Sequence, residues 1–219
     1  MIRVLVVDDQ PLMQRALSIF VDGADDMVVV GVAADGRMAT KQARALLPDI
    51  VLMDMQLPVL DGVEATRQLV AEQPASRVIA VTTFSTEQYL LPALRAGASG
   101  FILKHAEPEE LLQAIRAVHQ GAGAISPQVT HDLIAAVRDA PDRSPARELE
   151  EDERLTEREL DVVSELARGS SNAEIAGTLF LAEATVKSHL SRVMEKWHVR
   201  DRVQVLVRAA EVGLVKIGG

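Results

Sequence analysis

Five polar residues stand where apolar runs of the chain stop. Asp8 and Asp9 follow "RVLVV" (3–7), Asp54 follows "DIVLM" (49–53), Thr82 closes "RVIAVT" (77–82) and Lys104 closes "GFILK" (100–104). An ionised carboxylate at the end of a buried run is costly unless it is paired or bound to a cation. Three carboxylates brought close together call for a cation, and with hard oxygen ligands alone Mg²⁺ is the natural one. An aspartate in that setting is a legitimate phosphoryl acceptor, and a lysine and a hydroxyl nearby suit the new phosphoryl oxygens. A single Asp after a strand is ordinarily a helix cap or a turn residue. Polar residues of these types at successive strand ends are not explained that way.

The elements that must position them follow from hydrophobic periodicity. With "MVVVGVA" (27–33), the four runs above make five continuous apolar segments, the pattern of strands buried on both faces. Helix-period segments lie between them at about 11–22, 36–47, 61–72, 86–97 and 107–120. Such alternation predicts a parallel, doubly wound α/β sheet, with ligands bound beyond the carboxyl ends of the strands. Pro92, inside "TEQYLLPALRAG", predicts a fourth helix that starts late or kinks.

The chain then changes character. "GAGAISPQVTHDLIAAVRDA" (121–140) reads as a loop and a short helix near 127–138, and "PDRSPARELEEDE" (141–153) as a solvated linker. From 154 onward only helical signals remain, over about 156–168, 172–179, 183–197 and 201–212. "TERE" (156–159) and "SNAE" (171–174) are capping boxes. The expected organisation is residues 1–120, a linker over 121–153, and a small all-α four-helix domain over 154–219.

Composition narrows the classes. The 219 residues are 48% hydrophobic but only 3% aromatic, so the core is aliphatic. There is no cysteine, which excludes thiolate chemistry and fits a reducing cytoplasm. The first residues do not read as a signal peptide, and no apolar run approaches the ~18 residues of a membrane helix. The net charge of −9 is uneven: residues 154–219 hold 10 Lys/Arg against 9 Asp/Glu. The acidity of the whole chain therefore does not weigh against nucleic acid binding there.

"VLVVDDQP", "DIVLMDMQLPVLDG", "VIAVTTFS" and "AGASGFILKHAEPEEL" resemble a response-regulator receiver domain, a flavodoxin-like fold, over about residues 1–120. The resemblance implies that Asp54 accepts a phosphoryl group from a histidine kinase. It implies that Asp8, Asp9, Asp54 and the backbone carbonyl of Gln56 surround Mg²⁺, and that Thr82 and Lys104 bind phosphoryl oxygens. Phe101 occupies the family's aromatic switch position: as Thr82 moves toward the phosphoryl group, Phe101 turns inward and reshapes the face of the fourth helix. His105 follows Lys104 where the family often has Asp or Pro, and reads as a solvent-facing loop residue.

In "LAEATVKSHLSRVMEKWHVRDR" (181–202), Val186, Leu190, Val193 and Trp197 recur at helical spacing toward a core. The opposite face carries Lys187, Ser188, Ser191 and Arg192, which suits a DNA major groove. The segment "LTERELDVVSELARGSSNAEIAGTLFLAEATVKSHLSRVMEKWHVRDRVQ" resembles the LuxR-type helix-turn-helix domain. By that resemblance Lys187, Ser188 and Ser191 approach bases, and Thr185, Arg192 and Asn172 meet phosphates. His189 positions backbone or packs, and the last helix dimerises. Ser170, Ala182 and "WH" (197–198) depart from the usual spelling. Ala182 replaces a Ser cap, a loss of about 1 kcal/mol.

Together the halves resemble the NarL/FixJ family of two-component transcription regulators. The expectation is a phosphorylation-switched regulator with Mg²⁺ as cofactor. Its partners would be a sensor histidine kinase, promoter DNA and a second copy on activation. It would be cytoplasmic and not an enzyme: an aspartyl-phosphate hydrolase would usually carry Asp where Gln56 stands. A receiver kept only as a dimerisation scaffold is a third reading, disfavoured by the intact set of Asp8, Asp9, Asp54, Thr82 and Lys104.

Overall fold

A computed structural model describes residues 1–83, 86–125, 129–130, 132–133, 135, 150 and 152–214, without the side chains of 86–87. The chain divides into two compact units, Met1–Ala124 and Ile125–Gly219.

In the first unit the apolar runs form β1 (Ile2–Val7), β2 (Met27–Ala33), β3 (Ile50–Asp54), β4 (Arg77–Thr82) and β5 (Gly100–Leu103). They pair in parallel in the order β2-β1-β3-β4-β5. Helices α1 (Pro11–Asp22), α2 (Gly36–Leu46), α3 (Gly62–Glu72), α4 (Thr86–Arg95) and α5 (Pro108–His119) separate them. Strand order reverses between β1 and β3, and the crevice there is where such sheets bind ligands. Both sheet faces are covered. Val4, Val6, Ile50, Leu52, Ile79 and Val81 pack with Leu17 and Val21 of α1 and Leu111, Ile115 and Val118 of α5. Leu5, Val7, Val51, Met53 and Ala80 are buried as well.

Helix starts are fixed locally. Pro11 and Pro108 open α1 and α5, where a missing N–H costs nothing. Asp35 accepts from Met38 N at 2.7 Å and Asp61 from Glu64 N at 2.8 Å, capping α2 and α3. The late start expected for α4 does not occur: the helix runs from Thr86 through Pro92 to Arg95. Pro92 has no N–H for the Gln88 carbonyl, and both residues line an open groove.

In the second unit, residues 129–130, 132–133 and 135 are helical, with Val129 and Leu133 buried. The rest of the expected 127–138 helix and linker residues 141–149 lie outside the described residues. Four helices follow: α6 (Glu157–Ala167), α7 (Asn172–Leu179), α8 (Glu183–Trp197) and α9 (Arg202–Glu211). Both capping boxes form. Val162, Val163, Leu166, Ile175, Val186, Leu190, Val193, Trp197 and Leu206 make the core.

Candidate functional sites

The strand ends bring the first set of polar residues to one edge of the sheet. Asp8 and Thr82 are fully buried and Asp54 is 2% exposed, while Asp9 is exposed. Ligand oxygens of Asp8, Asp9 and Asp54 lie within 4.8 Å of one another. Lys104 Nζ reaches Asp8 Oδ2 at 2.6 Å and Asp54 Oδ2 at 2.8 Å. Its position is set by β5, where Lys104 N donates to Thr82 O at 2.7 Å.

The electrostatics leave room for a cation. One ammonium serves two buried carboxylates, so negative charge is in excess. Asp8 Oδ2 touches Lys104 but has no hydrogen bond of good geometry. A buried, underserved carboxylate oxygen beside two other hard oxygens fits a small divalent cation. Burial pushes the Asp54 carboxyl above its ordinary range, and hydrogen bonds from Lys104 and Gln56 N pull against that push. Burial alone would lower the Lys104 ammonium, but its bonds to Asp54 and Asp8 raise it on balance.

The loop after Asp54 is built to approach it. Gln56 N donates to Asp54 Oδ1 at 3.0 Å. The chain then makes a three-residue turn, with Leu60 N donating to Pro58 O at 2.7 Å around Val59, whose φ is +68°. A positive φ at a β-branched residue is strained, the kind of strain found near functional sites. Gly62 lets α3 return against the end of β3: a Cβ there would lie 2.0 Å from the Asp54 carbonyl oxygen.

Two features here were not readable in the sequence. Gln56 Nε2 donates to Tyr89 OH at 3.1 Å, tying the loop after Asp54 to α4. The two residues line an open groove of about 680 Å³ shared with Leu57, Arg67 and Pro92. Phe101 is already buried, 3% exposed, and its N donates to Ala124 O at 2.9 Å. His105 is exposed.

In the second unit, Lys187, Ser188, Ser191 and Arg192 are exposed on one face of α8. Val186, Leu190, Val193 and Trp197 are buried on the other. Thr185 and Asn172 are half-buried. His189 is half-buried too, with Nδ1 enclosed and unpartnered. Ala182 sits in the N-cap position without a side-chain bond, as expected. Phe180, 94% exposed, ends α7 at φ +55°, immediately before α8. No hydrophobic period marked it out.

The other end of α8 receives the incoming chain. Trp197 Nε1 donates to Glu153 O at 2.9 Å, and Lys196 Nζ to Arg154 O at 3.2 Å. Lys196 also meets Glu159 Oε2 at 2.5 Å, and Arg208 Nη2 meets Glu153 Oε1 at 3.0 Å. Burial would raise the Glu159 carboxyl, but bonds from Lys196 and from the Thr156 backbone and hydroxyl outweigh it, and its pKa is lowered. The acidic run read as solvated linker thus ends in a fastened segment.

Known proteins share both units. Residues 4–116 match the family described as "Response regulator receiver domain" and residues 153–209 that described as "Bacterial regulatory proteins, luxR family". The uncharacterized transcriptional regulatory protein YxjL of Bacillus subtilis is 38% identical, over 98% of this chain and 98% of that protein. Transcriptional regulatory protein LiaR of the same organism is 34% identical, over 98% and 100%. Among solved structures, response regulator ChrA of a heme-sensing two-component system is 33% identical, over 97% of this chain and 98% of that one, with a TM-score of 0.53. A LuxR-family response regulator from Aurantimonas is 36% identical over 59% of this chain and 93% of its own, with a TM-score of 0.56.

Proposed function

We propose that this chain, which belongs to the two-component response regulators that join a receiver domain to a LuxR-type DNA-binding domain, is a transcription regulator switched at Asp54. The observation that carries the reading is the buried trio at the strand ends: Asp54 and Asp8 share the single ammonium of Lys104.

Asp54 Oδ1 and Oδ2 are held by Gln56 N and Lys104 Nζ. A carboxylate oxygen attacks the phosphorus of a phosphohistidine on a sensor kinase. The new O–P bond forms as the P–N bond breaks, and the imidazole leaves. Asp8, Asp9, Asp54 and the Gln56 carbonyl would hold Mg²⁺, which when bound would offset the negative charge of the carboxylates and the incoming phosphoryl group. Lys104 and the Thr82 hydroxyl then bind phosphoryl oxygens. Phosphorylation adds about −1.5 to −2 charge, enough to bias Thr82 and, through it, Phe101 and α4.

The output is DNA binding. Lys187, Ser188 and Ser191 meet base edges in the major groove; Arg192, Thr185 and Asn172 meet phosphates. One such module makes few contacts, so activation works through a dimer, with α9 as the pairing helix of this domain. The protein acts in the cytoplasm and is not itself an enzyme. Labelling with acetyl phosphate and Mg²⁺, followed by a gel shift at fixed salt, tests both halves. Labelling and phosphorylation-enhanced binding are expected. Equal binding with and without the phosphoryl group contradicts the switch.

A further inference from the structure

Arg202 opens α9 and reaches back about 30 residues in sequence, to the turn before α7. Its Nη2 donates to Ser170 O at 2.9 Å and its Nη1 to Asn172 Oδ1 at 3.4 Å. The two contacts straddle Ser171, the N-cap of α7. No carboxylate among the described residues pairs with this guanidinium, and burial lowers its pKa. A largely desolvated cation without a counter-ion, beside the positive end of a helix, is unfavourable in the free protein.

The contact has a chemical consequence for Asn172. A carboxamide has an acceptor end and a donor end. With Oδ1 turned to Arg202, the Nδ2 amide is the end left to donate. In the opposite orientation Asn172 would offer a carbonyl oxygen to a phosphate and repel it. Helix α7 has only eight residues, so its first turn depends on its cap and on tertiary contacts. Helix α9 packs on α6 and α8, and Arg202 carries that anchorage to the start of α7.

We infer that Arg202 is a positioning residue of the DNA interface, orienting the Asn172 carboxamide so that its N–H₂ faces a backbone phosphate. This rests on the assignment of Asn172 to a phosphate. Arg202 acts through Asn172 and is not itself in contact with DNA.

The test is a double-mutant cycle in the full chain, on a mixed-sequence duplex and on a tight-binding duplex selected from random sequence. Asn172→Ala and Arg202→Ala each weaken binding to both duplexes by about tenfold, because a phosphate contact reads no sequence. The double variant is no weaker than either single variant. Arg202→Lys restores little, since an ammonium lacks the two-pronged reach. Asn172→Asp separates binding from folding. It gives Arg202 a counter-ion and raises the melting temperature of this unit by about 4 °C, yet removes the donor and weakens binding. Trp197, the only tryptophan of the chain, reports that melting.

An unchanged affinity in Asn172→Ala overturns the phosphate assignment and the inference with it. A weakened Asn172→Ala with additive loss in the double variant overturns the inference alone. So does a fall of about 0.9 in the salt slope on removing Arg202, which places the guanidinium itself on a phosphate.

Discussion

Lys104 holds its ammonium 2.8 Å from Asp54 Oδ2 with both side chains almost sealed from solvent, 4% and 3% exposed. The same nitrogen also serves Asp8 at 2.6 Å. Among the described residues, two buried carboxylates share one ammonium, which leaves negative charge in excess. On the proposed reading a cation would offset that charge, and without one a neutral isostere of Asp54 would be the more stable.

Asp54→Asn should stabilise the receiver in the absence of Mg²⁺. The folded-state pKa of Asp54 is raised above 3.8, chiefly by burial. Its contribution to stability is present below 3.8 and lost as pH rises through the folded value, so at neutral pH its charge is a liability. Removing it should add about 1 kcal/mol in urea denaturation followed by circular dichroism. Saturating Mg²⁺ should stabilise the wild type and erase the difference.

Glu159 gives the opposite sign. Its folded pKa lies below 4.5 despite burial, through bonds from Lys196 and Thr156. The stability it supplies is present above 4.5 and lost as pH falls through the folded value. Trp197 fluorescence should show the DNA-binding unit loosening on acidification. Glu159→Gln should flatten that dependence.

Trp197→Phe keeps an aromatic ring in the core but removes the N–H donated to Glu153 O. The expected loss is about 1 kcal/mol, read by chemical denaturation, with proteolysis near Glu153 accelerated. Arg208→Ala should accelerate the same cleavage, since it removes the ion pair between Arg208 and the Glu153 carboxylate.

Ala182→Ser should stabilise α8 by about 1 kcal/mol. Ala182 already has the extended backbone of an N-cap, φ −81° and ψ 148°, and lacks only the oxygen. Serine fits without moving the chain.

What could be read in advance was whatever the chain states locally. The apolar runs became strands within a residue or two, and the two capping boxes start α6 and α7 at the residues that spell them. Asp8, Asp54, Thr82 and Lys104 met because a parallel sheet puts every strand's carboxyl end on the same edge. Relationships between distant residues with no periodic signature were out of reach. Gln56 to Tyr89 depends on how closely α4 approaches the loop after Asp54. Arg202 to Asn172 depends on the path of α9. Glu153 read as solvated charge because nothing near it in sequence says that Trp197 and Arg208 will be there. Pro92 did not delay the helix: its missing N–H removes one hydrogen bond within α4, and the helix runs from Thr86 through it to Arg95.

Phosphoryl labelling of Asp54 tests the account most directly. The purified chain is incubated with labelled acetyl phosphate, with and without Mg²⁺, beside Asp54→Asn, and the modified residue is mapped by mass spectrometry. One phosphoryl group at Asp54, labile to base and to hydroxylamine as an acyl phosphate is, dependent on Mg²⁺ and absent from the variant, is the predicted result. Labelling that persists in Asp54→Asn, or an Asp54 that stays unmodified with Mg²⁺ present, would contradict it.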